Sequence, residues 1–314
     1  MSTKKVKQGD TIQFELTCNP SVANAEPNYF FDGEELSEQS LYIDGLRVGK
    51  YRLLAEMTIG DSILCESYKT IEVVSEIQPE AWKYDVISEF PHQTSAYTQG
   101  LTWSENTLYE GTGRYENSIL AAVNIQTGEY FNRLPLDDSY FGEGITIMND
   151  KIYQLTWQAQ KCFIYDLNSF ERIGEFEFNS REGWGLTNDG TNLIMSDGSH
   201  NLTVIDPVTF KEVDKFEVYN GSKRLIAINE LEFAQGLIFA NIYQKDDIAV
   251  IDPLSGKVIA MIDCKGLLDP RSIKGQIDVL NGIAYNSISG HFYLTGKWWP
   301  KLFEVSIDQS SPTP

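Results

Sequence analysis

Glu143 is the residue of this chain whose setting most calls for a functional reason. It stands in Phe141-Gly142-Glu143-Gly144, between two glycines at the start of an apolar run. A carboxylate so placed must be satisfied by partners or be functional, and apolar surroundings raise its pKa toward the range of a general acid or base. Similar segments recur along the chain: Tyr97-Thr98-Gln99-Gly100, Glu182-Gly183-Trp184-Gly185, Asn229-Glu230-Leu231-Glu232 and Leu280-Asn281-Gly282. Brought side by side, they offer a carboxylate, amides and aromatic faces to one point. Trp157, Tyr243 and Lys297 join them from the far ends of neighbouring strands. Such a set alternates polar and aromatic side chains around one point, as a binding or catalytic site does. Taken singly, the glycines also serve close backbone packing and the aromatics also serve a core.

Repetition supplies the elements that position these residues. From about residue 84 onward, Gly100-Leu101-Thr102, Gly144-Ile145-Thr146, Gly185-Leu186-Thr187 and Gly282-Ile283-Ala284 each open an apolar strand, and Glu230-Leu231-Glu232 holds the fourth place. Between them, turns built on Asn124, Asp166, Asp206 and Asp252 stand 40 to 46 residues apart, the length of one four-stranded propeller blade. Five repeats result. The last runs out of chain after Leu302–Ile307, and Asp85–Phe90 can supply its outer strand, closing the ring and removing an exposed edge. An open solenoid has no use for that strand. The expected fold is all-β: a five-bladed β-propeller over residues 81–314, its inner strands lining a channel. Residues 11–75 read as short alternating strands, and Tyr51 at a strand start resembles a tyrosine corner, so residues 1–80 are expected to form a small Ig-like β-sandwich. Leu53, where such sandwiches carry a cysteine, argues against their usual inter-sheet disulfide. Gln78-Pro79-Glu80 marks the boundary.

A formal charge of −20, from 25 basic and 45 acidic residues, repels nucleic acid and anionic lipid and favours cationic ligands such as a protonated peptide amine. No apolar run reaches the length of a membrane helix and no signal peptide precedes MSTKKVKQGDT, which leaves a cytoplasmic protein or a mature fragment behind an added Met1. Cys18, Cys65, Cys162 and Cys264 lack metal-binding spacing; only the first two could pair, and buried free thiols are the expectation for all four. His92, His200 and His291 are isolated and are not expected to converge on zinc. Phosphate-binding glycine loops and nucleophile elbows are absent from the sequence.

Tyr97–Leu101, Tyr109–Gly113, Phe141–Gly144, Asn229–Glu232 and Leu294–Leu302, in this order, closely resemble the plant and bacterial type of glutaminyl cyclase, also called glutamine cyclotransferase, over about residues 84–308. The resemblance implies conversion of an N-terminal glutamine of peptides or proteins to pyroglutamate, with release of ammonia. It also implies catalytic roles for Glu143, Gln99, Asn229 and Lys297, and an aromatic substrate wall of Tyr97, Phe141, Trp157, Trp184 and Tyr243. Tyr97 stands where the family commonly has Phe, and Tyr243 where it usually has Trp. Glu143 is expected to shuttle the proton while Gln99, Asn229 and Lys297 orient the amide; a direct Lys297–Glu143 ion pair would instead lower the carboxyl pKa and weaken the shuttle. No cofactor or catalytic metal is expected, and a structural cation in the channel is the one ion with a place. The implied protein is an exported monomer, periplasmic or membrane-anchored. Two other functions fit the architecture: a non-catalytic peptide-binding propeller, and a metal-dependent lactonase, which needs several carboxylates on the axis where this sequence offers one with amides and aromatics.

Overall fold

Alternating apolar residues and Asx-closed turns produce strands throughout. The computed structural model describes residues 4–16 and 26–309, which are all-β with one 3₁₀ turn, Pro270–Ser272. Asp166 Oδ1 accepts from the main-chain N–H groups of Asn168 and Ser169 at 3.1 and 2.8 Å, and Asp206 Oδ1 accepts from Val208 and Thr209 at 2.9 and 2.6 Å. Asn124 and Asp252 each close their turn by one such bond. The short side chain replaces a main-chain acceptor and lets the chain reverse.

Five groups of four strands follow one another, the first three as separate sheets and the last two joined in one larger sheet. The first is Thr98–Ser104, Thr107–Thr112, Ile119–Asn124 and Glu129–Pro135; the second is Gly142–Met148, Lys151–Thr156, Lys161–Asp166 and Arg172–Glu177. The third is Leu186–Asn188, Leu193–Ser196, Asn201–Ile205 and Glu212–Glu217; the fourth is Ile228–Ala234, Leu237–Ile242, Asp247–Asp252 and Lys257–Asp263. The fifth takes Leu280–Asn286, His291–Gly296 and Lys301–Asp308 from the end of the chain and Glu80–Pro91 from before the first sheet. The early strand therefore does pair with the last one, as its sequence position suggests. Its first residues also pair in parallel with Ala260–Ile262, tying the fourth sheet to the fifth.

The first strand of each sheet packs against the first strand of the next, and that of the fifth returns to that of the first, giving a closed circuit. Apolar side chains fill every gap between neighbouring sheets: Ile145, Ile152 and Leu120 between first and second, Leu155, Leu186 and Leu193 between second and third, Leu202, Leu231 and Ile238 between third and fourth, Phe239, Val250 and Phe292 between fourth and fifth, and Leu101, Leu108 and Tyr293 between fifth and first. Strands buried on both faces read as near-continuous apolar runs. At the centre the backbones nearly touch. A Cβ on Gly185 would lie 2.0 Å from the Asn229 carbonyl oxygen, and one on Gly100 would lie 2.3 Å from the Ile145 nitrogen. Glu230 breaks this glycine series with a purpose: its carboxylate accepts from Leu101 N–H at 3.2 Å and Ile283 N–H at 2.9 Å, bridging the first, fourth and fifth inner strands.

The front of the chain forms a five-stranded sheet, in the order Lys4–Val6, Ser62–Val73, Gly49–Ile59, Glu26–Phe31, Glu34–Leu36, and a two-stranded ladder of Thr11–Gln13 with Ser40–Tyr42. Ile12, Phe31, Ile43, Leu53 and Ile71 form its core. Tyr51 Oη donates to the Arg47 carbonyl at 2.9 Å, the bond that a tyrosine corner requires. This unit packs on the third and fourth sheets: Val48 and Val74 enclose Tyr219, Val48 N–H donates to the Ser255 carbonyl at 2.9 Å, Tyr219 Oη donates to Glu72 at 2.7 Å, and Arg47 pairs with Asp214.

The expectation of four free thiols needs one correction. Cys65 is disulfide-bonded, whereas Cys162 and Cys264 are free and buried. Cys18 lies outside the described residues. The histidines lie apart, each against its own glutamate: His92 with Glu110, His200 with Glu217 and His291 with Glu304.

Candidate active site

Bulges aim the polar residues inward. On the second sheet Gly142 pairs with Thr156 but Ile145 with Gln154, so Glu143 and Gly144 oppose a single residue. The same slip places Asn229 and Glu230 on the fourth sheet, and Asn281 and Gly282 on the fifth. An extra residue in one strand turns its side chain out of the regular alternation, which is how sheet edges present functional groups. Gly144 N–H, freed from the ladder, donates to the Trp184 carbonyl at 2.7 Å, and Gly282 N–H donates to Asn241 Oδ1 at 2.9 Å.

The bulged strand ends surround a cavity of about 320 Å³, lined by Tyr97, Gln99, Phe141, Glu143, Trp157, Trp184, Asn229, Tyr243 and Lys297. All nine residues singled out in the sequence thus meet in one place, from the strand ends and adjoining turns of all five sheets. The polar members form a buried floor and the aromatic ones a half-exposed wall. Phe141 packs on Trp157 with ring centroids 5.5 Å apart, and Trp184 stands edge-on to Tyr243 at 5.5 Å.

Glu143 Oε1 accepts from Gln99 Nε2 at 3.0 Å. Burial drives its carboxyl well above the ordinary carboxylate range; the Lys297 charge pulls it down, the Glu182 charge adds to the rise, and burial dominates. No direct ion pair joins Lys297 to Glu143 among the described residues, so the arrangement that would have weakened a proton shuttle is not the one formed. Lys297 Nζ instead lies over the Tyr97 ring at 4.6 Å and the Tyr243 ring at 5.5 Å, held by their negative faces. Burial lowers its pKa, opposed by the charges of Glu143 and Asp278. The turn that carries it is tight. Trp298 adopts φ 61°, and its N–H donates to the Ala96 carbonyl at 2.7 Å.

Three features were not foreseen from sequence. Glu182, quoted there only as part of its segment, accepts from Trp184 Nε1 at 2.9 Å and also from the Trp157 indole and from Gln158. Burial works against its charge, but these donors prevail and hold its pKa below the usual value. A single carboxylate thereby fixes two walls of the cavity. Behind the floor, His92 Nδ1 donates to the Trp299 carbonyl at 2.7 Å while its Nε2 meets Glu110 Oε1 at 3.0 Å, and Glu110 also accepts from Thr98 Oγ1 at 2.6 Å and Tyr130 Oη at 3.1 Å. Glu230 is the third: the expectation of one glutamate among amides on the inner strands is corrected, since it too is fully buried there. Glu182 and Glu230 lie within the quoted segments, but nothing in sequence tells a rim carboxylate from a catalytic one. Among the described residues no three His, Cys, Asp or Glu side chains are grouped to hold a metal ion.

The family described as glutamine cyclotransferase matches residues 61–307. A protein of Arabidopsis thaliana named glutaminyl-peptide cyclotransferase is 38% identical over 232 residues, which cover 72% of this chain and 72% of that protein. The crystal structure of Myxococcus xanthus glutaminyl cyclase superposes with a TM-score of 0.68 at 34% identity, covering 74% of this chain and 99% of the other.

Proposed function

The chain belongs to the glutamine cyclotransferase family, and on that premise we propose that its cavity closes the N-terminal glutamine of a peptide or protein into pyroglutamate and releases ammonia. The observation that carries this reading is a fully buried, high-pKa Glu143 set between a hydrogen-bonding amide and an aromatic wall, with a lysine nearby that does not neutralise it.

The α-amine, partly neutral near pH 7 with a pKa of roughly 8, attacks the carbon of its own side-chain amide. A C–N bond forms to the α-nitrogen, the bond to the amide nitrogen breaks, and one proton must pass from the first nitrogen to the second. Ionised Glu143 accepts that proton from the attacking amine and returns it to the leaving ammonia, ending as it began. Its raised pKa lies closer to those of the nitrogens it serves. Trp157, Trp184, Phe141 and Tyr243 hold the side chain in the folded conformation that makes attack intramolecular. Gln99, Asn229 and Lys297 orient the amide, and the Lys297 charge opposes the negative charge developing on its oxygen. Nothing in this sequence of bonds calls for a cofactor. The test is incubation with a glutamine-initiated peptide: the expected product is lighter by one ammonia, with ammonia detected in solution. An unchanged peptide mass sinks the reading.

Glu182→Ala should free both indoles. Losing hydrogen bonds to a charged group lowers kcat/KM by roughly tenfold. Because the Glu182 charge helps raise the Glu143 pKa, the acid limb of the rate profile should also move to lower pH. A rate profile indistinguishable from the unmodified enzyme contradicts this assignment.

The proposal extends to the architecture. Five groups of four strands in a closed circuit, sealed by Glu80–Pro91, support a five-bladed β-propeller over residues 81–314. The tyrosine corner and the two front sheets support an Ig-like unit over residues 1–80. The disulfide at Cys65 favours an oxidising compartment and hence an exported protein. The net charge of −20 favours protonated peptide termini over nucleic acid.

A further inference from the structure

One fully buried amide at the floor of the site has no part in the reaction as written. We propose that Asn281 is a positioning residue that dictates which atoms of Gln99 and Asn229 face Glu143 and the substrate, an inference that rests on the cyclisation reading above. Asn281 sits in the fifth-sheet bulge with no exposed surface. Its Nδ2 donates to the Thr98 carbonyl at 2.9 Å. A main-chain carbonyl only accepts, so this amide has one possible orientation, with Oδ1 turned away from Thr98.

That orientation propagates. Asn281 Oδ1 can only accept, so Asn229 must present Nδ2 to it, and does so at 2.8 Å. Asn281 Nδ2 also lies 3.5 Å from Gln99 Oε1, which leaves Gln99 Nε2 to donate to Glu143 Oε1 at 3.0 Å. A fixed polarity thus runs from a main-chain carbonyl through Asn281 and Gln99 to the carboxylate, with Asn229 held on a branch from Asn281. Thr98 is itself anchored, because its hydroxyl donates to Glu110 at 2.6 Å. Two consequences follow for the chemistry. Gln99 offers Glu143 a donor, which supports the ionised form that takes the amine proton. Asn229 has Oδ1 left over, with no protein donor to it among the described residues, as an acceptor for a substrate N–H. Were the amides free to flip, half of their orientations would set an acceptor against the carboxylate.

Two substitutions test this. Asn281→Ala removes the fixed point and should lower kcat by roughly tenfold. In the same variant without substrate, ¹³C NMR of the glutamate carboxyls should show the Glu143 midpoint move up by roughly half a unit to one unit as the Gln99 donor loosens. Combined with Asn229→Ala, the loss should be clearly smaller than the product of the single losses, since one residue acts through the other. Asn281→Asp keeps the volume, and its neutral carboxylic acid can donate to Thr98 and accept from Asn229 as the amide does. Its activity relative to the unmodified enzyme should therefore rise as pH falls. An unmoved Glu143 midpoint, a fully multiplicative double variant or a flat relative rate for Asn281→Asp each overturns the proposal. Turnover by the unmodified enzyme tests the reaction itself, and the NMR titration reads the positioning whether or not turnover is found.

Discussion

Glu143→Gln is expected to lower kcat by roughly 10²–10⁴-fold on a glutamine-initiated peptide while the protein stays folded. The replacement keeps the volume of the side chain, and its amide oxygen can still accept from Gln99 Nε2, so the floor of the cavity retains its shape. What it cannot do is take a proton from the amine and return it to ammonia. The pH profile separates this from a positional effect. The reaction needs ionised Glu143, whose pKa burial has raised, so the rate of the unmodified enzyme should climb with pH well above the ordinary carboxylate range. That limb should vanish from the residual rate of the variant. Stability should move the other way. A carboxyl whose folded pKa exceeds its unfolded value of roughly 4.3 favours the folded state below that value, and the advantage is lost as pH rises through the folded pKa. At pH 8 the variant should melt no lower than the unmodified enzyme. Near-normal turnover, or a Tm at pH 8 well below that of the unmodified enzyme, contradicts the assignment.

Glu110→Ala should produce the largest loss of stability. Glu110 and His92 are both fully enclosed, and the donor pattern fixes their charges: Nδ1 is committed to the Trp299 carbonyl, while Glu110 already accepts from Thr98 and Tyr130. Burial alone lowers the His92 pKa, but the Glu110 charge, its hydrogen bond and the Trp299 carbonyl overcome that and raise it; burial raises Glu110, and His92 with the two hydroxyls brings it below the usual value. Removing one member of such a pair costs about 3–5 kcal/mol. For a chain of this size that is a Tm lower by roughly 6–20 °C. The sign of each shift sets the window. The Glu110 contribution is present above its unfolded pKa and is lost as pH falls through the depressed folded value. The His92 contribution is present below its unfolded pKa and is lost as pH rises through the elevated folded one. The Tm difference should therefore be widest between about pH 4.5 and 6.5 and narrow on both sides. Calorimetry across pH 3 to 9 checks it, and a pH-independent difference contradicts the ion-pair account. The pair grips the turn that carries Lys297, so kcat should fall with stability.

Much of this molecule is legible in its sequence. Asx turns and Gly-apolar strand starts are local events, decided by a side chain closing its own turn or a missing Cβ admitting a neighbour, and local events leave fixed spacings. Their recurrence pointed to five sheets and to Asp85–Phe90 as the strand that completes the last. The same repeats placed Gln99, Glu143 and Asn229 at the starts of equivalent inner strands and Lys297 at the far end of a neighbouring one, which is why nine residues spread over 200 positions meet in one cavity. The polarity of the site was not legible. That Lys297 rests on aromatic faces instead of pairing with Glu143, that Glu182 grips two indoles, and that Asn281 orients its neighbours all depend on distances between side chains from different sheets. A sequence records which groups can donate or accept. Only the packed structure decides which of them are close enough to do so, and hence which carboxylate is desolvated and left free to move a proton.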